Sequence, residues 1–135
     1  MSKTYLTPYL NFQGGAREAM EFYQGVFGGI LTLFAAGEGG QPRPAEEGDS
    51  IMFGRLDADG VIIVGSDGDP RWPAKVGENV ALAVHGSDEA EVTRIFNSLA
   101  EGGTVKMPLT KMPWGTAGWL ADRFGFNWNI DIEAG

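Results

Sequence analysis

An internal repeat constrains the fold of this chain more than any other feature. Phe22 lies six residues before a Gly-Gly pair at Gly28, and Phe96 lies six residues before a second such pair at Gly102. The offset between the halves is 74 residues in both cases. Each half also has the pattern strand, helix, strand, strand, strand, so duplication explains the match better than chance. We predict an α+β protein of two tandem βαβββ modules, whose helix-free sheet faces form a shared cleft.

Helical and strand patterns place the modules along the chain. Apolar residues recur at helical spacing over Ala16–Phe27, and Ser87 or Asp88 is predicted to cap a second helix. Tyr5–Phe12 is predicted as a strand, and Pro8 inside it favours an edge position. The boundaries are predicted as a first module at residues 1–67, a linker at 68–78 and a second module at 79–135.

Two further segments are rich in turn-forming residues. The Gly-, Pro- and Glu-rich stretch Gly37–Asp49 is interpreted as a mobile surface loop. Thr104–Met107 is predicted as a short strand, followed by a loop that carries Pro108 and Pro113. We therefore expect no regular structure in Gly37–Asp49 or in the loop that follows Met107.

The closing stretch Gly115–Glu133 predicts a hairpin of two strands around a turn at Asp122–Gly125. Its second strand alternates: Phe126, Trp128, Ile130 and Ile132 share one face, and polar residues share the other. One face is therefore expected to contact a core, and the other to face water or a ligand.

Composition excludes several classes of partner. A net charge of −8 repels phosphate backbones and anionic lipids, so neither nucleic acid nor a membrane is an expected partner. No apolar run approaches the roughly 18 residues of a membrane span, and no signal peptide is evident after Met1. The absence of cysteine excludes disulfides and thiolate chemistry, and we expect a reducing cytoplasm. The single histidine, His85, is interpreted as structural or surface, with no serine partner in view.

A set of motifs in fixed order covers nearly the whole chain. They are Thr7–Phe12 with the Gly14-Gly15 turn, Glu18–Tyr23, Phe27–Gly29, Val64–Asp67, Gly102-Gly103 and Asp122–Trp128. Together they resemble the vicinal oxygen chelate superfamily of glyoxalase I, extradiol dioxygenases and bleomycin resistance proteins. Within it they are most similar to the PhnB-like branch, labelled 3-demethylubiquinone methyltransferase-like. The resemblance implies the glyoxalase/bleomycin resistance fold, a curved mixed-sheet cleft and a homodimer.

The resemblance also implies where a metal would be held. Metal-using members place His, Glu or similar ligands on the inward faces of their central strands. Those positions fall at about Thr7, Asn79, Asn129, Ile51 and Val64 or Gly65. None is His, Asp or Glu, and amide or hydroxyl oxygens alone bind divalent cations weakly. We therefore predict no cofactor and no metal site, with a divalent metal as the alternative.

The polar phase of the same strands predicts a ligand cleft. Aromatic side chains with a few amides suit a neutral or cationic organic molecule. The predicted ligand-binding residues are Thr7, Tyr9, Asn79, Trp114, Trp119 and Asn129. No catalytic residue is predicted, because no acid or base has an evident partner.

Three functions stay open on the sequence alone. The leading hypothesis is a PhnB-like protein that binds a small organic molecule in a metal-free cleft. The alternative is a metal-dependent glyoxalase-type lyase or isomerase, a dioxygenase-like enzyme, or a metal-free enzyme using Asp67 or Asp122. Those two carboxylates are more typical of a strand end and a hairpin cap. The third is a structural or regulatory dimer module. Whatever the function, the Pro8 strand and the Asp67–Glu78 linker are the candidate contacts of the homodimer that the resemblance implies.

Overall fold

The computed structural model describes residues 4–134. The first three residues of the predicted first module and the last residue of the second therefore lie outside the described residues. The chain divides into two compact units, Met1–Lys75 and Val76–Gly135. The first unit contains β1 Tyr9–Asn11, α1 Ala16–Phe27, β2 Ile30–Ala36, β3 Pro42–Pro44, β4 Phe53–Ala58 and β5 Val61–Ser66. The second contains β6 Leu82–Gly86, α2 Glu89–Ala100, β7 Thr104–Met112, β8 Gly115–Ala121 and β9 Asn127–Glu133.

The two sheets share one topology. The strand order is β1-β5-β4-β2-β3 in the first unit and β6-β9-β8-β7 in the second. In each unit the first strand runs parallel to the last, and the remaining pairs are antiparallel. The prediction of two βαβββ modules is therefore confirmed, with β3 as an addition to the first.

In the first unit, α1 packs on one face of the sheet through an apolar stripe. The predicted helix has the observed bounds, because its apolar spacing ends at Gly28, whose φ of 73° suits a residue without a Cβ. The buried helical residues are Ala16, Ala19, Met20, Tyr23 and Val26. The strands contribute Leu10 and Leu56 to the same core. At Gly54 an added Cβ would lie 2.9 Å from the Leu33 side chain, so glycine permits this close packing.

The second unit buries the predicted face of its closing hairpin. Trp128, Ile130 and Ile132 of β9 are buried together with Val92, Ile95, Phe96 and Leu99 of α2. The predicted cap of α2 is Asp88, whose side chain accepts a hydrogen bond from the Glu91 backbone N–H at 3.1 Å. Neither helix of the described chain is long and apolar enough to cross a membrane.

Proline-containing segments account for three differences from the predicted strands. β1 covers only Tyr9–Asn11 of the predicted Tyr5–Phe12, because it pairs with β5 alone and Pro8 lacks an N–H donor. The Gly37–Asp49 segment is not a plain loop, since Pro42–Pro44 pairs with β2 as an edge strand. β7 continues through Pro108 to Met112, and register shifts between Val105 and Thr110 accommodate the proline.

The turn of the closing hairpin is organised by Asp122, which is 4% exposed. Its Oδ1 accepts hydrogen bonds from the backbone N–H groups of Phe124 and Phe126, at 2.9 and 3.0 Å. Its Oδ2 accepts one from the indole Nε1–H of Trp128 at 2.9 Å. The interpretation of Asp122 as a hairpin cap is confirmed.

Candidate functional site

A groove of about 610 Å³ lies at one end of the first sheet. There β1, β2 and β5 end, while β3 and β4 begin, so five strands contribute to one rim. Residues after β5 complete the lining, including Gly68, Asp69 and Trp72. An adjoining hollow of about 420 Å³ shares Asn11, Ser50, Gly68 and Asp69 with the groove.

Two aromatic side chains present uncovered surface to this groove. Trp72 is 74% exposed and Tyr9 is 57% exposed, although both line the groove. The Tyr9 ring packs on Phe53 at a centroid distance of 6.3 Å, which supports it from one side. Trp72 is placed by a turn in which its backbone N–H donates to the Asp69 carbonyl at 2.8 Å. The groove therefore offers two ring faces for stacking.

Arg43, which lines the groove, and Arg71, which adjoins it, are each paired with a carboxylate. Arg43 Nη1 lies 2.8 Å from Asp49 Oδ2, and Arg71 Nη2 lies 2.6 Å from Asp69 Oδ2. The hydrogen bond from Arg43 lowers the pKa of Asp49, and the bond from Arg71 lowers the pKa of Asp69. Each guanidinium pKa is raised by the same hydrogen bond. A ligand that reaches Arg43 or Asp69 thus meets a group that is already in an ion pair.

The wall of the groove is held in place by Asp67, which directly follows β5 as predicted. Its Oδ1 accepts from the Ala16 N–H at 2.8 Å, at the first turn of α1. Its Oδ2 accepts from the Ile51 N–H at 2.6 Å and from the Ser50 hydroxyl at 3.1 Å. Gly15, at the N-cap position of α1, has no side chain that could accept a hydrogen bond from the helix. Asp67, 51 residues further along the chain, provides that acceptor instead. These bonds indicate a structural role for this carboxylate.

The second unit presents a polar and aromatic sheet face opposite α2. Trp119 lies directly across from Asn129, and Ala83 lies on the other side of Asn129. One row further along the sheet, His85 pairs with Asp131, with 3.0 Å between Nδ1 and Oδ2. These residues alternate with the buried ones, so they share the open face.

The six predicted ligand-binding residues are distributed over both units. Tyr9 lines the groove of the first unit, and Thr7 lies half-buried just before β1. Trp119 and Asn129 are brought together as cross-strand neighbours in the second unit. Asn79 precedes β6 and is exposed, and Trp114, 68% exposed, lies in the turn between β7 and β8. Ligand binding by each of the six stays a prediction.

The positions that the resemblance assigns to metal ligands do not carry a suitable donor set. Ile51 and Val64 are buried apolar residues, and Gly65 has no side chain. Between residues 4 and 134, no three or more His, Cys, Asp or Glu side chains form a group that could hold a metal ion. The residues present therefore do not fit a divalent cation of the glyoxalase type.

The groove contains residues that the sequence analysis did not select, including Arg43, Asp49 and Trp72. All three lie in segments interpreted as a loop or a linker. Trp72 stands between two prolines in a polar segment, and an apolar ring in such a place is a signal that could have indicated a site. The sequence contains no comparable indication of the His85–Asp131 contact, because that contact depends on the register between β6 and β9.

Comparison with known proteins identifies related chains. The family model described as 3-demethylubiquinone-9 3-methyltransferase matches residues 4–131. Protein PA1353 from Pseudomonas aeruginosa is 36% identical, with 97% of this chain and 98% of that chain covered and a TM-score of 0.82. A putative 3-demethylubiquinone-9 3-methyltransferase, PhnB protein, from Bacillus cereus is 25% identical, with 96% and 99% covered and a TM-score of 0.72. Protein YjdN from Escherichia coli K12 is 26% identical, with 94% of both chains covered.

A more distant likeness concerns the fold alone. A glyoxalase-related enzyme from Fulvimarina pelagi superimposes with a TM-score of 0.63 at 19% identity, with 98% of this chain and 89% of that chain covered. This agrees with the paired βαβββ topology described above. Because the family model covers nearly the whole chain and the repeat has the glyoxalase-like arrangement, the chain belongs to the 3-demethylubiquinone-9 3-methyltransferase family, the PhnB-like group with a glyoxalase fold.

Proposed function

We propose that this protein binds a small organic molecule, neutral or cationic and containing a planar ring, in the groove of the first unit. The observation that carries the proposal is the pair of exposed rings, Tyr9 and Trp72, lining one groove. The family description names a methyl transfer. A methyltransferase and a protein that only sequesters a small molecule both have to bind that molecule.

The size of the groove supports a ligand of ordinary metabolite dimensions. Its volume of about 610 Å³ lies within the range of roughly 300–1,000 Å³ that is usual for small-molecule sites. Asn11 and Ser50 add hydrogen-bonding groups to the aromatic walls. Such polar side chains can orient a ligand whose ring stacks on the aromatic side chains.

The charges favour a neutral or cationic ligand over an anion. Arg43 is engaged by Asp49, and Asp69 is engaged by Arg71, so neither pair offers a free charge to the ligand. The whole chain carries a net charge of −8. An anion would have to break an existing ion pair to reach a guanidinium, whereas a cation can use the faces of Trp72 and Tyr9.

Binding of two planar dyes tests this proposal. Proflavine is a cation, and 1-anilinonaphthalene-8-sulfonate is an anion of similar apolar area. We expect proflavine to bind more tightly, and we expect Trp72→Leu to weaken its binding about five- to tenfold, as the loss of one stacking contact implies. Tyr5→Leu is the matched control, because it removes an exposed aromatic ring of the same unit that does not line the groove.

Fluorescence polarisation of each dye gives the dissociation constants. The far-ultraviolet circular dichroism of each variant checks that it is folded. Equal effects of the Trp72 and Tyr5 substitutions would contradict the groove as the site. Tighter binding of the anionic dye would contradict the assigned ligand class.

A further inference from the structure

The hollow beside the groove of the first unit differs from the groove in its chemistry. Its volume is about 420 Å³, and Asn11, Ser50, Gly68 and Asp69 belong to both cavities. The hollow, but not the groove, is lined by Gln13, Gly14, Asp67, Pro70 and Pro73. Neither exposed ring of the groove is among these residues, so amide, hydroxyl and proline surfaces replace the aromatic ones. Two joined cavities of different character suit a ligand with an aromatic part and a polar part.

Gln13, in the turn between β1 and α1, has a strained backbone. In the part of the chain that the structure describes, it is the only residue other than glycine with a positive φ, at 52°. Glycine adopts this region freely, whereas a long side chain such as glutamine is strained there. The neighbours of Gln13 fix it, because the Phe12 N–H donates to the Ser66 carbonyl at 3.0 Å and the Gly14 N–H donates to the Asp67 carbonyl at 2.9 Å. Residues held in this way cluster at ligand sites, so Gln13 is a candidate binding residue.

The hollow offers both donors and acceptors to a ligand. Asn11 Oδ1 accepts from the Gln13 backbone N–H at 2.9 Å, which leaves the Asn11 NH₂ group as a donor. Ser50 Oγ donates to Asp67 Oδ2 at 3.1 Å and keeps its lone pairs as an acceptor. Among residues 4–134, the exposed carboxamide of Gln13 and the NH₂ group of Asn11 make no hydrogen bond with another side chain or with the backbone.

The carboxylates of the hollow disfavour an anionic ligand. Asp67 and Asp69 both line it, and its described lining contains no Lys or Arg. Asp67 already accepts three hydrogen bonds from the protein, and Asp69 is paired with Arg71. A carboxylate or phosphate of a ligand would be repelled by these two groups, whereas a neutral hydroxyl would not.

We propose that the hollow binds a sugar without charged groups, joined to the planar ring that the groove binds. The ligand is then a glycoside or a nucleoside, and one molecule fills both cavities. This inference rests on the proposed function, because the ring of the ligand stacks on Tyr9 and Trp72 of the groove. Asn11 lines both cavities, so the bond between the ring and the sugar lies beside it.

The hydroxyl groups of a sugar match the free groups of the hollow, because each hydroxyl both donates and accepts. Ser50 Oγ accepts from one hydroxyl, the Asn11 NH₂ group donates to another, and the Gln13 carboxamide does both. The C–H groups of the sugar ring contact Pro70 and Pro73, whose side chains are apolar. Gln13 is therefore the residue that selects a ring with a sugar over the same ring without one.

Two pairs of probes test whether the sugar adds affinity. 4-Methylumbelliferyl β-D-glucoside is compared with 7-methoxy-4-methylcoumarin, which has the same ring and a methyl group in place of the sugar. Inosine is compared with 9-methylhypoxanthine in the same way, so the two pairs distinguish a glycoside from a nucleoside. Equilibrium dialysis gives each dissociation constant. In at least one pair we expect the sugar to tighten binding about tenfold, as two hydrogen bonds of ordinary net strength imply.

Variants assign this gain to Gln13. Gln13→Ala should weaken the preferred sugar-bearing probe about fivefold, as the loss of one hydrogen bond implies, and should leave its sugar-free partner unchanged. Gln41→Ala is the matched control, because Gln41 is an exposed glutamine of the same unit that lines neither cavity. Gln13→Gly should also lose the gain, yet its urea midpoint should not fall, because glycine relieves the strain of the positive φ.

Binding of both members of each pair without a gain from the sugar would overturn this proposal alone, as would an unchanged gain in Gln13→Ala. Tighter binding of 4-methylumbelliferyl β-D-glucuronide than of the glucoside would also overturn it, since the glucuronide carries a carboxylate. Trp72→Leu should weaken both members of the preferred pair by the same factor. Binding of none of the probes to the unaltered protein would refute the groove and the hollow together.

Discussion

The hydrogen bonds of Asp122 allow a quantitative test of how the closing hairpin is stabilised. One carboxylate oxygen accepts from two turn N–H groups, and the other accepts from the buried indole N–H of Trp128. In Asp122→Asn the amide keeps one oxygen for the turn. Its NH₂ group then faces the Trp128 N–H, so two donors oppose each other and the indole is left without its acceptor.

The expected cost follows from these contacts. A hydrogen bond to a charged group contributes about 1.5–3 kcal/mol, and a buried unsatisfied donor costs about 1–3 kcal/mol. These two effects overlap in part, so we expect Asp122→Asn to lower the free energy of unfolding by about 3 kcal/mol. Trp128→Phe removes the opposing donor. In that background the Asp122→Asn substitution should cost about 1–2 kcal/mol less.

Urea unfolding followed by tryptophan fluorescence in a Trp72→Phe background measures the free energy of unfolding. The signal then comes from the second unit alone, because Trp114, Trp119 and Trp128 all lie there. The fluorescence transition then gives the stability of each variant. Glu133→Gln is the control, since Glu133 lies exposed at the end of β9 in the same unit. A change of less than about 0.5 kcal/mol for Asp122→Asn, or a zero coupling energy with Trp128→Phe, would refute this account.

Three further predictions concern the rest of the chain. Asp67→Ala removes the acceptor of the Ala16 and Ile51 N–H groups and should destabilise the protein by about 2–3 kcal/mol in urea unfolding followed by circular dichroism. The Arg43 hydrogen bond lowers the pKa of Asp49 in the folded state. The stabilisation from this ion pair is complete at a pH above the pKa of Asp49 in the unfolded chain, about 4, and is lost as the pH falls through its lower pKa in the folded protein. Arg43→Met should therefore make the urea midpoint less dependent on pH in this acidic range. We also propose a homodimer, for which sedimentation should give twice 14.5 kDa, and a mass near 14.5 kDa would contradict it.

Much of the fold follows from patterns that are local in the sequence. The bounds of α1 agree with the prediction, because apolar spacing defines the helix and Gly28 ends it. The alternation along β9 predicted which of its side chains are buried, because a strand exposes successive residues on opposite faces. The repeat itself predicted the shared βαβββ topology.

The candidate sites depend on contacts between residues that are distant in sequence. Asp67 reaches Ala16 across 51 positions, and β3 forms a strand only because the edge of β2 is available to it. His85 meets Asp131 only in the observed parallel register, and a shift of one residue would place either side chain on the other face. Periodicity is encoded within a segment, so the sequence determined the two helices and the buried faces of strands such as β9, but not the proline-containing strands. Register and loop placement result from packing the whole sheet, so only the tertiary structure decided which polar groups meet.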